Sequence, residues 1–216
     1  MDTPKELTTD EILTIFTKHS ILHTKPLAII TMGIPGSGKS TIIKKFITNT
    51  LPKIIPGSYK FKDFVNCNPD DILPYINDSD EKSRLAKAAR KNGSILKKIR
   101  ESDEKLSIIY DGTGVNLPAY KGNINKFQEN GYFTILIYVK TNLLVAMNRV
   151  KKRSRKVSPK DIKRIYEKLE EPIKDTNIKK FDYYKDMIIK KKGVYLVVDN
   201  TFKSKLIETN VSKLTL

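Results

Sequence analysis

Cysteine is nearly absent: Cys67 is the only one in 216 residues, so no disulfide can close within the chain and a reducing compartment is the expected home. Histidine is almost as scarce, and neither His19 nor His23 has cysteine or acidic neighbours at metal-ligand spacing, which argues against a zinc site. No apolar run approaches membrane-spanning length. The opening Met1-Asp2-Thr3-Pro4 lacks a basic stretch followed by an apolar one, so no secretory signal is read there and a cytoplasmic location is expected. Internal repeats and low-complexity linkers are missing too. What remains, 39% hydrophobic and 8% aromatic residues, is an ordinary soluble composition, and residues 1–216 are read as a single α/β domain.

Acidic residues are also few, 24 Asp and Glu against 41 Lys and Arg, for a net charge of +17. Lys140 to Lys192 alone carries 18 basic and 7 acidic residues, 11 of those 17 net charges. Such a field attracts nucleotides, nucleic acid or other polyanions without choosing among them, and lysines spread over solvated helix faces give the same count.

Among the residues that are present, Gly33-Ile34-Pro35-Gly36-Ser37-Gly38-Lys39-Ser40-Thr41 stands out, because it reads G-x-x-x-x-G-K-S. Glycines at 33, 36 and 38 let backbone N–H groups approach phosphate oxygens, Lys39 supplies a cation, and the Ser40 hydroxyl is placed for Mg²⁺. The setting fits as well. Leu27 to Met32 is an apolar run of strand length before the loop, and Ile42, Ile43, Phe46 and Ile47 follow it at helical spacing.

Upstream, Thr8-x-x-Glu11 is a capping box that predicts a helix over 8–19. Downstream, Pro52 and Pro56-Gly57-Ser58 mark a break, and Phe64 to Cys67 reads as a strand ending in Asn68-Pro69-Asp70-Asp71. Two readings of that end stand side by side: Asn68 caps a helix whose dipole favours both aspartates, or Asp70 faces the crevice and takes a proton from an acceptor hydroxyl. A helix over 82–101 is expected to be interrupted near Gly93. Leu106 to Tyr110 is the next strand, delivering Asp111-Gly112-Thr113, where Asp111 is placed to hold Mg²⁺ or its waters, although Asp-Gly is also a common turn. A helix from Pro118 to Gly131, a strand Phe133 to Val139, and a helix Asn142 to Lys152 follow. Then come a helix capped by Ser158, one through Phe181, Tyr184 and Ile188, and a last strand Val194 to Val198. Strands alternating with helices predict a phosphate-loop (P-loop) nucleoside-triphosphate-hydrolase fold: a parallel five-stranded sheet with helices on both faces and ligands at the strands' C-terminal edge.

A phosphate loop alone does not separate kinases from other nucleotide enzymes. The chain has no Asn-Lys-x-Asp guanine-reading motif, no second nucleotide domain and too few residues for a motor or transporter ATPase. It does have Arg149, Arg153 and Arg155 between two helices, within a stretch 149–160 read as an arginine-bearing lid. Phosphoryl transfer needs water excluded and cations around the γ-phosphate, which lid arginines supply, whereas a solvated basic turn would carry the same residues.

Taken in order, Gly-x-Pro-Gly-Ser-Gly-Lys-Ser, Asn-Pro-Asp-Asp-Ile, Ile-Ile-Tyr-Asp-Gly-Thr-Gly, then Arg149 with Arg153 and Arg155, the chain resembles the zeta toxin family of P-loop kinases over about residues 26–165. The resemblance implies that Asp70 is the base for the acceptor hydroxyl and that the loop, including Gly33, Pro35, Gly36, Ser37, Gly38, Lys39, Ser40 and Thr41, binds ATP and Mg²⁺. It places Asp111 and Thr113 near acceptor and phosphates, and makes Arg149, Arg153 and Arg155 lid residues that contact ATP. The implied activity is phosphorylation of a nucleotide sugar, UDP-N-acetylglucosamine. This chain departs from the pattern in two places. Leu73 stands where many members carry arginine, and Asp111-Gly112-Thr113 where Glu-Gly-Thr is usual. Three functions are therefore carried forward: a small-molecule kinase of the zeta toxin type, a polynucleotide 5′-hydroxyl kinase suited by the basic charge, and a non-catalytic nucleotide-binding protein. A protein inhibitor is a further partner the resemblance allows.

Overall fold

The computed structural model describes residues 6–153, 157–212 and 214. In chain order the elements are α1 (Thr9–Thr17), β1 (Leu27–Met32), α2 (Lys39–Lys45), a π-turn (Phe46–Thr50), α3 (Leu51–Ile54), β2 (Val65–Cys67), α4 (Pro69–Ile72), α5 (Glu81–Glu101) and β3 (Ile108–Tyr110). They continue as α6 (Leu117–Glu129), β4 (Phe133–Lys140), α7 (Leu143–Lys151), α8 (Pro159–Glu170), α9 (Lys180–Lys190), β5 (Val194–Asp199) and β6 (Lys205–Thr209). The expected capping box is there: the Thr8 hydroxyl accepts from the Glu11 amide at 3.2 Å while the Glu11 carboxylate accepts from the Thr8 amide at 2.7 Å.

The strands form one sheet in the order β2-β3-β1-β4-β5-β6, parallel throughout except for β6. β1 is buried along its whole length because both its faces are covered. Ala28, Ile30 and Met32 point into a core shared with α5, α6, α8 and α9, and Leu27 and Ile29 into one shared with α2 and the π-turn. This two-sided burial explains why the strand reads as an unbroken apolar run and not as an alternating one. From β1 the chain goes first to β2 and back to β3 on one side, then to β4 and β5 on the other, so the strand order reverses at β1. A crevice opens at such a reversal, outside the strands' C-terminal ends.

Three expectations need correction. The sheet has six strands, not five: β6 pairs antiparallel with β5 at the edge, and its Lys-Leu-Ile-Glu-Thr sequence is too short and too exposed to announce itself by burial. Gly93 does not interrupt α5, since Ala88, Ile95, Leu96 and Ile99 hold the helix to the core and outweigh the roughly 1 kcal/mol a helical glycine costs. Pro52 does not end the helix after the phosphate loop. The wider π-turn lets a new helical segment start at Leu51, which places Pro52 in a first turn where its missing N–H matters little. Among the described residues no helix is long and apolar enough to cross a membrane.

Candidate active site

The phosphate loop leaves β1 and enters α2. Gly36 and Gly38 sit at φ 84° and 87°, in the left-handed region, and a side chain on either would run into the Ala146 carbonyl or the Asn200 amide. The loop is braced from the far half of the chain: the Ser37 carbonyl accepts from Asn200 Nδ2 at 2.7 Å and from Thr141 Oγ1 at 3.2 Å. These braces lie 163 and 104 residues away in sequence, and each looks locally like a turn residue at a strand end, so no local pattern marks them. Ser37 is fully buried and its hydroxyl has no hydrogen-bond partner among the described residues. Lys39 Nζ donates to the Gly33 carbonyl at 3.0 Å. Its pKa lies below the ordinary lysine value because burial disfavours the cation; Asp111 pulls it back up, Arg153 pushes it down and Asp70 raises it. Those influences bring Lys39, Asp111, Arg153 and Asp70 together in one electrostatic neighbourhood.

At the end of β2 the helix cap of the first reading forms, and Asp70 stands at the crevice as the second reading requires. Asn68 caps α4 by accepting from the Asp70 amide at 3.0 Å, and Asp70 lines the cleft. Asp71 is turned elsewhere, its carboxylate accepting from Asn66 Nδ2 at 2.6 Å. Burial pushes the Asp71 carboxyl above the usual carboxylate range, the Asn66 bond opposes this, and Asp111 and Asp70 add to the rise.

Asp111 follows β3 and is held by both oxygens. Thr31 Oγ1 donates to one at 2.5 Å, and Asn68 Nδ2 to the other at 3.2 Å. Tyr120 donates its hydroxyl to the Thr31 carbonyl at 2.8 Å, and the Gly33 amide donates to the Thr113 carbonyl at 3.2 Å, so β1, β3 and α6 are tied into one support. Thr31, and the bond of Asn68 to Asp111 beside its capping role, are positioning contacts that sequence reading missed. Thr31 sits inside an apolar strand, where a lone polar residue facing a neighbouring strand end is the signal that could have found it.

The arginines divide. Arg153 lies just past α7 and lines the cleft. Arg149 does not line it; its guanidinium donates to the carbonyls of Asn200 at 2.7 Å and Thr201 at 3.0 Å, fixing the loop after β5 that braces Ser37. Arg155 lies outside the described residues. The cleft, about 810 Å³, runs from Gly36, Lys39 and Ser40 past Asp70, Asp111, Thr113 and Arg153 to a wall formed by α5, α6 and β3. Leu73 packs against the core and its carbonyl accepts from Arg84 Nη2 at 2.8 Å and Nε at 3.2 Å, so this departure puts no cation of its own at the cleft.

A phosphate loop after the central strand of a mostly parallel sheet, carboxylates after β3 and β2 on one side of it, and an arginine after α7 on the other define a P-loop protein of the kinase type. The family model described as Zeta toxin matches residues 10–203, and the chain belongs to the zeta toxin family. Solved structures agree on the fold. The chain is similar to one from the PezAT chromosomal toxin-antitoxin system of Streptococcus pneumoniae, at 14% identity and TM-score 0.58, covering 93% of this chain and 78% of that one. It is also similar to AvrRxo1-ORF1:AvrRxo1-ORF2 with sulphate ions, at 11% identity and TM-score 0.66, and to the same pair with ATP, at 11% identity and TM-score 0.65. Each of these covers 96% of this chain and 68% of the other. A comparison with curated proteins finds no match.

Proposed function

We propose that the protein transfers the γ-phosphate of ATP to a hydroxyl of a small acceptor, with UDP-N-acetylglucosamine the leading candidate. The observation that supports this best is the one cleft that Lys39 and Ser40 share with Asp70, Asp111 and Arg153. Lys39 and the backbone amides of the phosphate loop where it enters α2 hold the phosphates. Asp70 accepts the acceptor's hydroxyl proton as that oxygen bonds to the γ-phosphorus, and the bond from γ-phosphorus to the bridging oxygen breaks to release ADP. Arg153 offsets charge on the equatorial oxygens, and Thr113 orients the acceptor. Arg149 acts at one remove, by holding the Asn200 loop against the phosphate loop.

Mg²⁺ fits this site. One Asp111 oxygen accepts from Thr31 and the other from Asn68, each with a further lone pair to offer, and the exposed Ser40 stands on the first turn of α2. Among the described residues no three His, Cys, Asp or Glu side chains group to hold a metal, which suits an ion carried largely by phosphate oxygens and water. Ser40 and Asp111 would hold it, and bound there it would neutralise charge between the β- and γ-phosphates.

ATP as donor is supported by the ATP complex of AvrRxo1-ORF1:-ORF2, and a protein inhibitor by the pairing of PezAT and of ORF1 with ORF2. A cytoplasmic setting accords with Cys67, a buried thiol whose pKa burial pushes up to about 12. The polynucleotide alternative draws on the net charge, but the only cations among the described lining residues are Lys39 and Arg153, which favours a small acceptor. The test offers γ-labelled ATP and Mg²⁺ with UDP-sugars, nucleosides and 5′-hydroxyl oligonucleotides in separate reactions. Label on a UDP-sugar supports the proposal; label on oligonucleotides alone, with affinity falling steeply in salt, replaces it.

A further inference from the structure

Along the far wall of the cleft the chemistry changes. Ala89, Asn92 and Leu96 of α5, Tyr110 of β3, and Tyr120 and Asn123 of α6 line it, and none is charged. Most of their polar atoms are spoken for. Tyr120 is bonded to the Thr31 carbonyl, while Asn123 accepts from Arg100 Nη1 at 3.4 Å and bonds the Tyr110 side chain. Asn92 is the exception: it is 4% exposed, and its Oδ1 has no hydrogen-bond partner among the described residues.

An asparagine is out of place here on grounds of folding. It belongs to the face of α5 that carries Ala88, Ile95, Leu96 and Ile99, where an apolar residue continues the pattern and a buried, unpaired polar atom opposes folding. The next residue, Gly93, also lines the cleft, and a Cβ built there meets nothing within 4 Å, so there is open room beside Asn92 for a bound group. A polar side chain kept unsatisfied at the wall of a cavity is what a ligand-reading position requires.

We infer that Asn92 is a specificity-determining residue that pairs its side-chain amide with a planar amide or imide edge of the acceptor. An asparagine amide presents an acceptor oxygen and a donor nitrogen side by side, and a second amide-like group matches both in one plane, whereas a lone hydroxyl meets one. The uncharged wall suits a neutral edge of that kind. This inference rests on the phosphoryl-transfer reading of the same cleft and assigns what is recognised at the end away from Lys39. UDP-N-acetylglucosamine carries such an edge twice, in its acetamido group and in its uracil ring.

The experiment compares the full chain with its Asn92→Leu variant in phosphorylation of UDP-N-acetylglucosamine. The inference expects the acceptor KM to rise about tenfold to a hundredfold, because the acceptor's polar edge is left unpaired. It expects kcat and the KM for ATP to change by less than about threefold, and the unfolding temperature to hold or rise as an unpaired buried amide is removed. N-acetylglucosamine and UDP-glucose, used as competing inhibitors, separate the two edges: the variant weakens the first alone if the acetamido group is read, and the second alone if uracil is. An unchanged acceptor KM in an otherwise active variant overturns this inference alone, as does equal weakening of both inhibitors. A wild-type chain that phosphorylates no UDP-N-acetylglucosamine overturns the proposed acceptor, and this inference with it.

Discussion

The two ends of the cleft are built differently. At the phosphate end, Lys39, Asp70, Asp111 and Arg153 are delivered by the loops that follow β1, β2, β3 and α7, and hydrogen bonds from Thr31, Asn68, Thr141 and Asn200 hold the surrounding frame. At the other end, helix faces supply a wall without charge, with one unsatisfied amide. The contrast separates chemistry from recognition. In-line transfer fixes where cations and carboxylates must stand, so the phosphate end keeps a recognisable pattern, whereas the acceptor wall is free to change with the acceptor. Leu73, one of the two departures from the resembled pattern, packs its side chain against the core.

If that division is right, substitutions at the phosphate end should act on turnover and leave acceptor affinity alone. Lys39→Met should have the largest effect, lowering transfer by about a thousandfold or more, since the fixed cation on the phosphates is lost. The same variant should melt no lower than the parent, because burial already holds the Lys39 pKa below its ordinary value and methionine removes a cation the folded state disfavours. Transfer assays and thermal melts of one preparation check both parts. Arg153→Ala should reduce kcat by about a hundredfold to a thousandfold, with the unfolding temperature unmoved because the side chain is exposed. A larger change in acceptor KM than in kcat would move Arg153 to the recognition side. Asn200→Ala should act least, removing one brace on Ser37: about 1 kcal/mol of stability and a severalfold weaker grip on ATP, read by nucleotide titration.

How far the sequence exposed this arrangement follows from the same contrast. The phosphate loop, Asp70, Asp111 and the α/β alternation were legible because each is a local pattern: a glycine spacing, a capped strand end, an unbroken apolar run. Asn200 and Thr141 were not, since their partner Ser37 is distant in sequence and nothing nearby marks them. The family resemblance implies an ATP contact for Arg149, whereas its guanidinium sits on two carbonyls of the loop after β5, a tertiary placement that neither motif nor charge pattern encodes. Asn92 carried a faint signal, a polar residue on the apolar face of α5, but only its burial and its missing partner give that signal meaning. Strand β6 escaped because an exposed edge strand lacks the burial that makes strands visible.

The central claim, that Asp70 is the base, is met most directly by measuring transfer and ATP affinity in Asp70→Asn and Asp71→Asn side by side. Asparagine keeps the shape of aspartate and cannot take the proton, and the cap is untouched because Asn68 accepts from the backbone amide of residue 70. At position 71 an asparagine oxygen can still accept from Asn66. The account predicts that Asp70→Asn binds ATP within about twofold of the parent and transfers about a hundredfold or more slowly, while Asp71→Asn changes neither by more than about twofold. Undiminished transfer by Asp70→Asn would contradict it.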